Sequence, residues 1–127
     1  MENAELEKSK AFNVVDILEY ISHSVVIKTI SRKKTGNISA ISFDSNQVLK
    51  GKIYPFDSFI QIIDGNAEII IDDKSNLLEV GQSIIIPAHS SNTIKANVRF
   101  KMISTIIKSG YEEVILWSHI LIFFLKK

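Results

Sequence analysis

Three histidines, His23, His89 and His119, are the obvious candidates for proton transfer, and they lie far apart along the 127-residue chain. Imidazole titrates nearest neutrality, but a catalytic histidine needs a partner that orients it, and none stands near these three in the sequence. His89 reads as a solvent-facing turn residue and His23 as a residue at a helix–strand junction. Asp57 precedes an apolar run and caps or pairs locally, and Asp44 reads as a turn residue. No HExxH, GxSxG, P-loop or GxGxxG pattern occurs, so the common signatures of zinc hydrolysis, acyl transfer and nucleotide binding are missing. The chain has no cysteine, which excludes thiol catalysis, disulfides and zinc or iron–sulfur sites built on thiolates. The cluster Arg32-Lys33-Lys34 has no aromatic platform beside it and reads as a solvated loop. A formal net charge of +1 argues against nucleic-acid binding, which needs a clustered cationic face.

The elements that must position these residues are short and apolar. Hydrophobic residues make up 46% of the chain and charged residues 23%, enough to form a core in one domain of this length. Asn13 could cap a short helix through Val14, Val15, Ile17, Leu18 and Ile21, whose spacing forms one apolar stripe. From Ser24 onward β-branched side chains dominate, with about 23 isoleucines in the whole chain, and such side chains suit a pleated surface. Strands are expected near Val25–Ser31, Asn37–Phe43, Val48–Tyr54, Ser58–Ile63, Ala67–Asp72, Asn76–Glu79, Ser83–Pro87, Thr93–Lys95 and Arg99–Ile107. Turn signals separate them: Asp64-Gly65 reads as a tight hairpin, Asp72 to Asn76 as the next reversal, and Val80-Gly81-Gln82 as another. Regular short strands with little helix point to a β-sandwich or barrel. In the segment Ser58 to Ile63 both parities are largely apolar, as expected of a strand covered on both faces, the outer one by something such as a second subunit.

Two of these stretches carry a pattern. Gly81, five residues, then Pro87 in GQSIIIPAHSSNTIKA resembles the second motif of the cupins. KIYPFDSFIQIIDG resembles the first motif in its spacing and in its closing Gly65. TGNISAISFD and YPFDSFIQIIDGNAEIII also resemble the small single-domain bacterial cupins, and the likeness spans roughly residues 12–107. It implies an all-β fold, the cupin-type double-stranded β-helix or jelly-roll barrel, here with a short N-terminal helix and an apolar C-terminal segment. The expected divisions are an N-terminal extension over 1–11, the barrel over 12–107 and an appendage over 108–127.

What the resemblance implies for chemistry lies in the substitutions. In metal cupins, histidines and a glutamate converge inside the barrel on one divalent ion. The matching positions here hold Lys52, Tyr54, Ser58 and Asn92, with His89 in place of a motif glycine and Ala96 in place of the motif asparagine. Lysine is cationic and repels a divalent ion, hydroxyls are poor ligands unless deprotonated, and asparagine offers one neutral oxygen. No metal and no cofactor are therefore expected. Metal-independent epimerases of this fold use a His/Tyr/Asp set, whereas lysine and tyrosine ordinarily titrate far from neutrality. The expected function is a metal-free, non-catalytic barrel that binds a small molecule, anionic ones included, through Lys52, Tyr54, Ser58 and Asn92, or acts as a structural homodimer. The alternative is a metal-independent isomerase or epimerase acting on a carbohydrate or small acid. Two residues apart on a strand, Lys52 and Tyr54 share a face. Either they line the pocket, or Lys52 leans out to the barrel mouth while Tyr54 fills volume. Asn92 either turns into the same pocket or serves the Ser90-Ser91-Asn92 turn.

The end of the chain stands apart. Val114 to Leu125 reads VILWSHILIFFL, and twelve helical residues reach about 18 Å, too short for a hydrocarbon core of roughly 30 Å. The segment is therefore not expected to span a membrane; it is expected to dock on the barrel, across a dimer interface, the alternative being a membrane-surface or partner anchor with Trp117 at the boundary. Met1 to Lys10 has no apolar core of a signal peptide, and a cytoplasmic location is expected.

Overall fold

Alternating apolar residues from Val25 onward pair into nine antiparallel strands in the computed structural model, which describes residues 5–108. They are β1 (Val25–Lys33), β2 (Gly36–Phe43), β3 (Val48–Gly51), β4 (Ser58–Gly65), β5 (Ala67–Ile71), β6 (Lys74–Leu78), β7 (Ser83–Ile86), β8 (Asn92–Lys95) and β9 (Phe100–Ile107). One sheet runs β1-β2-β9-β4-β7 and the other β3-β8-β5-β6. The chain thus alternates between two facing sheets, the jelly-roll arrangement expected from the sequence. Between the sheets lies one core that includes Phe43, Ile60, Ile62, Ile69, Phe100 and Met102, each at most 2% exposed. Phe43 and Phe100 face each other across the β2–β9 ladder, with ring centroids 4.5 Å apart and planes within 12°.

The N-terminal helix is not formed. Only Val14–Asp16 makes a single 3₁₀ turn. The carbonyls a helix would use are instead taken up by the outer face of the first sheet. Lys101 Nζ donates to the Val15 carbonyl at 2.6 Å, and Ser42 Oγ donates to the Glu19 carbonyl at 2.9 Å. Leu18, within this strap, is buried at 5% exposure. Tyr20 completes it: its hydroxyl donates to Asp64 Oδ2 at 2.5 Å, and its ring lies 4.7 Å from the Arg99 guanidinium and 5.0 Å from Lys101 Nζ. Burial, and then the Asp64 acceptor, push the Tyr20 phenol above its ordinary value. A stripe of β-branched residues has weak helix propensity, and contacts to the sheet override it here.

Asp64-Gly65 is not a hairpin either. β4 and β5 belong to different sheets. The register slips between Ile62 and Asp64, and Gly65 pairs with Phe100 before the chain leaves the sheet. Gly65 has φ +71°, and a Cβ there would run into the Arg99 carbonyl, so the glycine serves a bulge at a sheet corner. The tight hairpin lies one connection later, where Asp72 and Asp73, at φ 47° and 69°, join β5 to β6 in a two-residue turn. Strand β3 ends at Gly51, three residues short of the expected end, because Gly51–Asn92 is the last rung of its ladder with β8. Beyond it Pro55 has no N–H to donate, and the Tyr54 carbonyl instead accepts from the His89 N–H at 2.7 Å.

Within the single chain, β4 is covered on its inward face only. Its inward residues Ser58, Ile60 and Ile62 are buried, whereas Phe59 is 42% exposed beside its cross-strand partner Ile85, 57% exposed. The apolar run Val114 to Leu125 lies outside the described residues. Among the described residues no helix is long and apolar enough to cross a membrane.

Candidate functional site

Strand alternation points every second residue of the facing strands into the space between the sheets. At one end of that space the side chains are too small to fill it, leaving an open cavity of about 380 Å³. Asn37, Ser39 and Ile41 line it from β2, Ser104, Met102 and Ile106 from β9, and Ser58 and Ile60 from β4. Across from them stand Leu49 and Gly51 of β3 and Asn92 and Ile94 of β8, while Lys50, Lys52 and Tyr54 border the opening. All four residues singled out by the sequence, Lys52, Tyr54, Ser58 and Asn92, therefore meet at one cavity.

They reach it by different routes. Ser58 opens β4 and is buried at 8% exposure, yet its hydroxyl has no hydrogen-bond partner among the described residues and is open to the cavity. Asn92 opens β8, and its amide lies in the space where a Cβ on Gly51 would be. Lys52 and Tyr54 do not share a strand face, because the strand has ended. They follow it as exposed residues of the loop at the mouth, Tyr54 at 39% exposure. Lys52 Nζ makes no ion pair among the described residues. This agrees in part with each of the two readings of Lys52: it stands at the mouth, and it also borders the cavity.

Sequence reasoning missed Asn37, Ser39 and Ser104, the polar inward positions of β2 and β9. Ser39 and Ser104 are direct cross-strand partners. The missing signal was parity. In Asn37–Phe43 the opposite set, Ile38, Ala40 and Ser42, is as apolar as the inward one, because the strap buries Ala40 and Ser42 from outside.

The remaining sequence candidates lie elsewhere. His89 is exposed in a turn at φ 67°. His23, at φ 60°, donates its backbone N–H, not its imidazole, to Asp44 Oδ2 at 2.8 Å. That bond, with the neighbouring Ser45 N–H and Arg99 at 3.1 Å, holds the Asp44 carboxyl below its usual range. Asp57 Oδ1 accepts from the Ala88 N–H at 2.8 Å, tying the mouth loop to the turn after β7. Arg32 and Lys33 of the basic cluster are both exposed; the Arg32 backbone N–H donates to Glu5, and Lys33 lies 3.8 Å from the same carboxylate.

The cavity lining contains no histidine, aspartate or glutamate, and among the described residues no group of three or more such side chains gathers anywhere. Hydroxyls, neutral amides and two lysines are not a donor set for the divalent ion that metal barrels of this architecture hold. The arrangement can offer neutral hydrogen-bond donors and acceptors and a positive charge at the mouth, above an apolar floor.

The sequence matches no protein-family model and no curated protein. Among solved structures, the chain is similar to a conserved protein of unknown function from Streptococcus pyogenes, with TM-score 0.78 and 23% identity over 86% of this chain and 96% of that one. It is similar to a cupin superfamily protein from Desulfitobacterium hafniense, with TM-score 0.77 and 22% identity over 86% of this chain and 100% of that one. A cupin 2 conserved barrel domain protein from Leptotrichia buccalis aligns at TM-score 0.74 and 24% identity, over 76% of this chain and 47% of that chain. Identities this low speak for architecture and not for activity. The described residues fold as a cupin-type β-barrel.

Proposed function

We propose that the barrel binds a small anionic molecule in this cavity, without a metal ion and without catalysing a reaction on it. The observation that carries the reading is the lining itself: unpartnered hydroxyls and amides from both sheets, lysines at the mouth and no acidic side chain. A bound anion would satisfy these donors and sit beside Lys52, since charge-assisted bonds are the strong ones. The absence of carboxylate and imidazole from the lining supports binding over proton transfer, and so weighs against a metal-independent isomerase or epimerase.

Thermal denaturation of the full chain against a panel of small carboxylates and phosphates tests this reading. A ligand at a hundred times its Kd adds about 2.7 kcal/mol of stability, and the shift should shrink in Lys52→Ala. A near-stoichiometric transition metal that is lost on Asn92→Ala, or an anion response unaltered by Lys52→Ala, would overturn it.

A structural homodimer is favoured by a separate observation, the exposed cross-strand pair Phe59 and Ile85 on the outside of the first sheet. Apolar side chains paired on an open sheet face suit an isologous contact. Sedimentation of Phe59→Glu should show a monomer where the parent chain shows a dimer, and a monomeric parent would end this reading.

A further inference from the structure

We infer that the ligand of the barrel is an amphipathic monoanion, with its carboxylate at the mouth beside Lys52 and its apolar body on the cavity floor. This rests on the anion-binding reading above and adds the chemical class of the ligand and its orientation.

The register of β2, β9 and β4 sets the cavity out in rungs. The outermost holds Asn37, Ile106 and Ser58, and the next holds Ser39, Ser104 and Ile60. The third is Ile41, Met102 and Ile62, and the stacked Phe43–Phe100 pair closes the space beneath it. Two of three side chains are polar in each of the first two rungs, and none is in the third. The facing sheet repeats the gradient, with Asn92 beside Gly51 and then Ile94 beside Leu49. At two residues per rung, the change from polar to apolar is complete within roughly 13 Å.

That gradient discriminates among small anions. A sugar phosphate or other polyol would press hydroxyls against Ile41, Ile60, Ile94 and Met102, which offer no hydrogen-bond partner in exchange for lost water. A wholly apolar molecule would leave Asn37, Ser39, Ser58, Ser104 and Asn92 desolvated and unpaired. A short aliphatic or aromatic carboxylate meets both halves, and about 380 Å³ lies at the small end of ligand-sized cavities.

Methyl-labelled full-length protein titrated at fixed ionic strength with hexanoate, 1-hexanol and glucose 6-phosphate tests this by NMR. Hexanoate should saturably shift the methyls of Ile41, Ile60, Ile94 and Met102, while 1-hexanol binds at least about tenfold more weakly. Lys52→Ala, on an exposed side chain, should weaken hexanoate about tenfold and leave 1-hexanol unchanged. Shifts from glucose 6-phosphate but not hexanoate, or hexanoate shifts confined to the mouth, would overturn the amphipathic assignment while the anion site stands. If none of the three probes, nor inorganic phosphate, moves a cavity resonance, the anion-binding reading fails with it.

Discussion

Replacing Gly51 with alanine should have opposite effects on stability in two backgrounds. A Cβ at Gly51 falls on the side chain of Asn92, whose three terminal amide atoms are its nearest neighbours and all lie inside contact distance. The backbone of Gly51 carries no positive φ that an alanine would resist. In the parent protein, Gly51→Ala must therefore push the Asn92 amide out of its position, at a cost of about 0.5–1.5 kcal/mol for an off-rotamer side chain plus the packing it loses. Against this stands a gain of about 0.4–1 kcal/mol from the restricted unfolded chain. The net change is a destabilisation of about 1 kcal/mol or less. In an Asn92→Ala background the obstruction is gone and only the gain remains, so the same substitution stabilises by about 0.4–1 kcal/mol. The coupling between the two positions is about 1 kcal/mol, within the range for touching side chains. Urea denaturation of the four proteins, with m-values compared, reads it directly. Equal effects of Gly51→Ala in both backgrounds, or a loss above about 3 kcal/mol in both, would refute the close approach of Asn92 to Gly51. The ligand response adds a second readout, because a displaced Asn92 alters the polar rung at the mouth while Ile94 and Leu49 below it stay in place.

Other substitutions test the parts of the structure that hold the cavity. Phe43→Ala removes one of two fully buried, stacked rings and should cost about 3–5 kcal/mol in urea; a cost under about 2 kcal/mol would mean that the floor collapses freely. Asp73→Gly relieves a left-handed backbone at φ 69° and should raise stability by up to about 1 kcal/mol, whereas a loss would show that the Asp73 side chain contributes to the turn. Tyr20 keeps its proton in the folded chain at pH values where the unfolded chain has released it, so the unfolded state binds fewer protons. Stability should therefore fall as pH rises above about 10. Tyr20→Phe should flatten that part of the profile, and an unchanged slope would place the alkaline loss in other groups.

The positions of the candidate site were legible because spacing in a barrel is geometry. From Lys52 to Gly65 the chain rounds the mouth and descends β4, and from Gly81 to Asn92 it rounds the mouth again to β8. Each interval is short, and its glycine and proline fix where a turn can fall. Side-chain chemistry could change at Lys52, Tyr54, Ser58 and Asn92 without moving those positions. The route by which they meet was not legible, since it depends on where ladders end. Lys52 and Tyr54 have the spacing of one strand face, but β3 stops at Gly51, and the loop beyond it is held by the backbone N–H of His89 on the Tyr54 carbonyl and that of Ala88 on the Asp57 carboxylate. Such long-range bonds leave no period in the sequence. The unformed helix has the same cause. Val14, Val15, Leu18 and Ile21 have helical spacing, yet their segment is held by Lys101, Ser42 and Asp64, residues far along the chain whose partners no local pattern discloses. The same strap blurs the pattern of β2. Its bond to Ser42, with Ser42 and Ala40 both buried, leaves the outer face of β2 without the solvent-facing polar residues that would mark Asn37, Ser39 and Ile41 as the inward set.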